Sequence, residues 1–433
     1  MKRVLSVFLT AVVLLTAIAV PALAEAPVVL QFWGAIPPEN GPQEVVDNWN
    51  AAHPDIQVEY TRFVNDDGGN TKLETALLAG EVDLFISYPA SALDKRVNAG
   101  LMVPLDDYIA QDALDLVATY GESNYYRNGK CYFIPTMGGN DAYLMYNKDM
   151  VDAAGITIPD RWTWEEFEDT VRKLTSGDGA EKVYGLTLGY SVVGDDWAFG
   201  AKHERGNDYL YKSETESAFD EPSFLRDMQL RYRMEVEEET MISRMEVKMT
   251  NLDIPTEFAN GKVAMVWANY HLRDMKNLEK YPHDFMISFA PVPMNPEQST
   301  FYSTGIREWM SISTSCKNPD AAWQFLQYYS TDGFYPMCRS GRLPSWKGAD
   351  TEKAVAQYLG ENANELFDVE AFDRIVMKSP YNQSAVNSIT IAQAEIVTLM
   401  GEAYESVILG EATPEEAIGQ LKVDADAAIA NAK

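Results

Sequence analysis

Between Val28 and Ile86, short apolar runs alternate with amphipathic stripes, and that alternation is the strongest constraint on how this chain can fold. Val28-Val29-Leu30-Gln31-Phe32-Trp33-Gly34 is an apolar run stopped at glycine, the pattern of a buried strand. Val45, Val46, Trp49 and Ala52 then fall on one helical stripe, with Pro54 beyond its end. Ile56 to Tyr60 alternates as a strand, Leu73, Ala76 and Leu77 form a second stripe closed by Gly80, and Val82 to Ile86 is a third strand. Strand alternating with helix predicts an α/β lobe with a largely parallel sheet. A chain of 433 residues is too long for one compact core, so two domains are expected. No repeat or low-complexity linker separates them, which points to several strand crossings in place of a single tether.

Further along, helix starts are explicit. Thr163 precedes Trp164-Glu165-Glu166, so the hydroxyl and the Glu166 carboxylate can cap each other's backbone donors. Asn318-Pro319-Asp320 opens another helix, and Thr413-Pro414-Glu415-Glu416 opens the last. The charge-rich region from Pro222 to Asn251 reads as a long exposed helix.

The first residues have the layout of a cleaved export signal: Lys2 and Arg3, an apolar stretch from Val4 to Val20, then Ala22-Leu23-Ala24. Cleavage after Ala24 is expected to leave a free exported protein, in the periplasm or outside the cell, because the first cysteine is Cys131 and no lipid-anchoring cysteine stands at the junction. No second stretch long enough to span a membrane follows. Without Lys2 and Arg3 the balance is 33 basic against 65 acidic side chains, a net charge of −32. Nucleic acid is thereby disfavoured, since it needs a basic footprint. Cys131, Cys316 and Cys338 are odd in number and lack any C-x-x-C pairing; they read as small hydrophobes, with a Cys316–Cys338 bridge left open.

Catalytic signatures are missing. There is no G-x-S-x-G elbow, H-E-x-x-H helix or P-loop, and His53, His203, His271 and His283 show no ligand spacing. Asp66-Asp67-Gly68-Gly69-Asn70 lacks the alternation and closing Glu of a calcium loop. A glycosidase needs only two carboxylates at the right separation, and nothing singles out a pair. No enzyme, metal or cofactor is expected.

Several segments, in order along the chain, carry a resemblance. They are the strand ending Phe32-Trp33-Gly34, the run Asp83 to Ile109, the run Asn128 to Ile156 continuing through Trp162-Thr163-Trp164-Glu165-Glu166, Phe258 to His271, Ser303 to Ser330 with Gly341-Arg342-Leu343-Pro344-Ser345, and Gly410 to Leu421. Together they resemble the family 1 extracellular solute-binding proteins of ABC importers, of the maltose-binding, carbohydrate type. That resemblance implies a two-lobed α/β fold of the type II periplasmic-binding-protein kind, each lobe a mostly parallel sheet flanked by helices. Three hinge crossings would join the lobes, near Gly139 to Leu144, Tyr302 to Trp309 and Gly341 to Trp346. After a signal peptide at 1–24, residues 25–141 and 308–344 would form the N-terminal lobe, and 142–307 and 345–433 the C-terminal lobe. The implied partners are a carbohydrate held between the lobes and the importer's membrane permease subunits, with the binder itself monomeric.

A sugar offers hydroxyls at its edge and C–H patches on its faces, so its site needs aromatic planes and a few fixed polar groups. Trp33 and Tyr88 stand at the carboxyl ends of strands, where open α/β sheets bind ligands. Asn140 and Asp141 lie on the first crossing, and Asn140 matches a family position that touches sugar hydroxyls. Trp267, Asn269, Tyr270 and His271 are the second lobe's candidates; His271 stands where the family places a stacking Trp, which leaves open which ring stacks. Gly305 would let backbone approach the ligand, Arg307 and Glu308 would bracket hydroxyls with Trp309 behind them, and Trp197 is a further wall candidate. A non-sugar solute (a sugar phosphate, polyamine or peptide) and a secreted carbohydrate-active enzyme are the alternatives.

Overall fold

The structure, a computed structural model, describes residues 26–88, 90–188, 196–267 and 271–432, with the backbone alone for Ser91 and His271. The export-signal segment lies outside the described residues. Among those described, no helix is long and apolar enough to cross a membrane.

Two sheets organise the chain. The first has six strands: β1 (Val28–Gly34), β2 (Ile56–Arg62), β3 (Leu84–Ser87), β4 (Ile134–Gly138), β10 (Arg307–Ile312) and β11 (Leu343–Pro344), in the spatial order β11-β4-β10-β3-β1-β2. The second has four: β5 (Tyr143–Asn147), β6 (Tyr184–Leu188), β7 (Val263–Trp267) and β8 (Ile287–Pro291), in the order β8-β5-β7-β6. β1 pairs parallel with β2 and β3, and β7 pairs parallel with β6. The parallel pattern expected from strand–helix alternation breaks where strands lead to or from the other sheet. β10 runs antiparallel to β3 and β4, and β5 antiparallel to β7 and β8. β4 leaves its sheet for β5, whereas β10 returns from the short strand β9 (Phe301–Ser303), so the two must point in opposite directions. β9 itself pairs parallel with β12 (Asn382–Ser384).

The helices bury the faces that their periodicity marks. α1 (Pro42–Ala52) buries Val45, Val46 and Trp49, and α7 (Pro319–Ser330) sets Phe325 and Tyr329 edge-on to Phe32, with ring centres 5.6 and 5.2 Å away. α2 (Asp67–Ala79) starts at Asp66, whose carboxylate accepts from Gly69 N, so the acidic loop serves as a helix cap. α4 (Trp164–Leu174) carries the reciprocal Thr163–Glu166 cap and buries Phe167 and Val171. All three cysteines are unpaired.

The region from Pro222 to Asn251 departs from the expected long exposed helix. α6 (Pro222–Tyr232) gives way to a wide turn over 233–237 and then to a separate helix, Arg244–Thr250. Its charges are matched internally. Arg231 is 1% exposed; its Nε donates to Glu235 Oε1 at 2.5 Å, while Tyr404 donates to Glu235 Oε2 at 2.6 Å. Periodicity registers charge as solvent-facing, but a carboxylate with a guanidinium and a phenol on its two oxygens can be buried. Around this network α6, α9 (Gln393–Ile408) and α10 (Pro414–Asn431) enclose a separate core containing Trp197, Phe224, Ile396 and Ile429. Removing the carboxylate with Glu235→Ala strands a buried cation, and the expected loss is about 3–5 kcal/mol of stability in urea unfolding.

Candidate functional site

Two crossings link the halves of the chain: residues 139–142, between β4 and β5 of the two sheets, and residues 304–306, which lead from β9 into β10. Asp141 fastens these two crossings together. Its Oδ1 accepts from Thr304 N at 2.7 Å, its Oδ2 accepts from the Thr304 hydroxyl at 2.5 Å, and Arg307 Nη1 stands 3.3 Å from Oδ2. Burial alone would raise the Asp141 pKa; Arg307, then Lys202 and His203, and the Thr304 hydrogen bond overcome it and hold the carboxyl well below its usual range. Asn140 is committed to backbone, accepting from Ala142 N at 2.8 Å and donating to Ile375 O at 3.2 Å. Both residues lie on the crossing that the sequence predicted, and their hydrogen bonds go to protein groups.

His203, on α5 (Phe199–Arg205), stands at the same junction. Its Nδ1 lies 2.6 Å from the Tyr302 carbonyl, so Nδ1 carries the proton. Its ring lies nearly parallel to that of Trp267, 5.8 Å between centres, and Phe199 meets the same indole at 4.3 Å. Burial, then the neighbouring Lys202 charge, lowers the His203 pKa to about 4, against the opposing pull of Asp141.

A cleft of about 210 Å³ opens beside the second crossing. Tyr88, Asn124, Arg127 and Trp309 face it from the side of the six-stranded sheet; Ala385, Asn387, Thr390 and Gln393 face it from the segment that leads into α9; Thr304, Ile306 and Arg307 form its base. The Tyr88 oxygen accepts from Ala35 N at 2.6 Å, which fixes the phenol. Trp309, expected to pack behind Arg307, lines the cleft and meets Phe133 edge-on at 6.1 Å. Each arginine here has a carboxylate: Arg127 Nε donates to Asp94 Oδ1 at 2.6 Å, and Arg307 pairs with Asp141. A larger groove lies between the helix Thr351–Leu359 and residues 361–378, but its lining includes no aromatic ring.

Several predicted residues stand elsewhere. Trp197 is fully buried in the helical core and donates to Met400 O at 2.9 Å, so it is no cleft wall. Gly305, at φ +77°, makes room for protein and not for ligand: a Cβ there would sit 2.5 Å from Ala385 O. Strand alternation turns Glu308 away from Arg307 and Trp309. Its Oε1 accepts from Arg342 Nε at 2.7 Å, and its backbone holds a left-handed φ of +60°. Trp33 is buried, with Lys72 Nζ 5.7 Å from its ring centre. Trp267 is half-buried in its aromatic stack. Asn269, Tyr270 and the His271 side chain lie outside the described residues.

The sequence reading missed the 385–393 wall. The one available signal was the polar stretch from Tyr381 to Thr390, which has no helical or strand period and is long for a connection without a role. The buried His203 gives a prediction of its own. Its folded pKa lies below the usual 6.5, so the unfolded chain takes up a proton first and stability falls as pH drops from about 6.5 to about 4. Urea midpoints measured across that window should decline, and His203→Asn should flatten the slope.

Three comparisons place this geometry among known proteins. The sequence profile of the family described as bacterial extracellular solute-binding protein matches residues 36–334. A provisionally named binding protein of Brucella abortus is 24% identical over 388 residues, covering 89% of each chain. Among solved structures, a sugar transporter protein from Rhizobium etli in an open conformation superposes with a TM-score of 0.71 at 17% identity, covering 91% of this chain and 98% of the other. The sugar-binding protein MalE of Xanthomonas citri gives 0.70 at 18% identity, covering 93% and 98%. With its two sheets linked by chain crossings and a family profile matched over residues 36–334, this chain belongs to the bacterial extracellular solute-binding proteins.

Proposed function

We propose that this protein is the exported binding component of an ABC importer, and that it captures a neutral mono- or oligosaccharide between its lobes and hands it to the membrane permease subunits. The observation that carries this reading is the make-up of the cleft. Indole and phenol planes stand beside amide and hydroxyl groups, and each cleft arginine is neutralised by an adjacent carboxylate. A phosphate or carboxylate ligand calls for unmatched positive charge, whereas a sugar needs ring faces and fixed polar edges. The solved relatives from Rhizobium etli and Xanthomonas citri are a sugar transporter protein and a sugar-binding protein, which favours the same class.

The mechanism is differential affinity. A ligand that touches both walls only when the lobes are together shifts the population toward the closed form, which then docks on the permease. Trp309 and Tyr88 would supply ring faces, and Asn387, Gln393 and Arg307 the polar edge. Asn140 and Asp141 act behind them by fixing the crossing. No bond in the sugar changes, so the protein is a carrier and not an enzyme. The apolar stretch from Val4 to Val20, with Ala22-Leu23-Ala24 after it, would direct export.

Titration calorimetry against panels of neutral sugars, sugar phosphates and polyamines tests the assignment. Heat of binding is expected with a neutral sugar alone, and saturation by a phosphate or an amine in its place would overturn the proposal. Trp309→Ala should weaken the best sugar at least tenfold, ~1.4 kcal/mol or more, while leaving the fold intact by circular dichroism.

A further inference from the structure

The second-lobe wall of the cleft has no regular structure of its own between Ala385 and Thr390, yet its backbone is held at every turn. Asn207 Oδ1 accepts from Val386 N at 2.7 Å. Asp208 Oδ1 accepts from Ser388 N at 2.6 Å and Ile389 N at 2.9 Å, its Oδ2 accepts from the Ser388 hydroxyl at 2.7 Å, and its own N–H donates to Asn387 Oδ1 at 2.8 Å. To do this Asp208 takes a left-handed φ of +46°, a conformation that aspartate tolerates better than most side chains. All of these bonds lie within one lobe, so separating the lobes leaves them intact.

One bond from this wall reaches the other lobe. The Thr390 hydroxyl donates to Asp94 Oδ2 at 3.0 Å across a sequence separation of 296 residues. Asp94 sits on α3 (Ala90–Asn98), and its other oxygen is held by Arg127 Nε. Thr390 and Arg127 both line the cleft, so this contact closes part of its rim. A ligand could enter past it only as the lobes part.

We propose that Asp208 and Asp94 are positioning residues of the cleft: Asp208 preforms the 385–390 segment as a wall, and Asp94, oriented by Arg127, catches that wall at Thr390 and biases the lobes shut. The inference rests on reading this cleft as the one that closes, but it does not depend on which ligand the cleft takes. Preforming the wall spares the ordering cost that a loose segment would otherwise impose on binding.

The test uses the whole ligand-free protein. Thr390→Val keeps the side chain's shape and removes its hydroxyl; Asp94→Ala removes the acceptor. Loss of a hydrogen bond to a charged group should move the open-to-closed ratio about tenfold toward open, read as a larger radius of gyration in small-angle X-ray scattering. In hydrogen exchange, Asp208→Ala should lose about tenfold protection or more at the Ser388 and Ile389 amides, and Asp208→Asn, which keeps an acceptor oxygen, should restore most of it. Should Asp208→Ala fail to fold, Asn207→Ala reports the same clamp at the Val386 amide. Scattering curves of Thr390→Val and Asp94→Ala that superimpose on the wild-type curve would overturn the latch, and unchanged exchange at 386–389 would overturn the clamp. Neither measurement needs a sugar, so either can fail while the carbohydrate assignment stands.

Discussion

A half-buried carboxylate where two crossings meet is the constraint on which the rest of the cleft depends. Thr304 and Arg307 favour the charged form of Asp141, and Asp141 in turn holds the Thr304 backbone and the Arg307 guanidinium. The consequence runs outward along the chain. Thr304 fixes the turn into Gly305, Gly305 lets the strand approach the Ala385 carbonyl, and Arg307 begins the strand that presents Trp309. A small polar cluster where the crossings meet thus sets the base of the cleft and the approach of its walls.

Much of the fold was legible because burial leaves a period. The alternation from Val28 to Ile86 marked β1, β2 and β3 and the helices α1 and α2 between them, and Thr163–Glu166 and Thr413–Glu416 announced helix starts that the structure carries as reciprocal caps. Legibility failed where charge was taken for exposure. Arg231 and Glu235 pair in the interior, and no pattern of residue types distinguishes that from a solvated face. It failed again for strand direction at β5 and β10, since a run of apolar residues does not say from which end it enters a sheet.

The site was legible in outline only. The family resemblance alone pointed to a crossing at Asn140 and Asp141, and which partners their polar atoms take is a matter of three-dimensional neighbours. Glu308 and Arg307 are adjacent in sequence and face opposite sides of a strand, so the expected bracket of the two around a hydroxyl does not form. Trp197 shows the same limit, an aromatic beside a glycine-bounded loop that belongs to a helical core. The wall at 385–393 meets its counterpart Asp94 across 296 residues of sequence, a distance no local motif spans.

The central claim is that one ligand is gripped by two walls at once. Hydrogen–deuterium exchange of the whole protein, with and without its tightest-binding sugar at saturation, tests it most directly. The account predicts that peptides spanning 124–127 and 304–309 gain protection together with those spanning 385–393. Protection confined to one lobe, or to surfaces remote from the crossings, would contradict it.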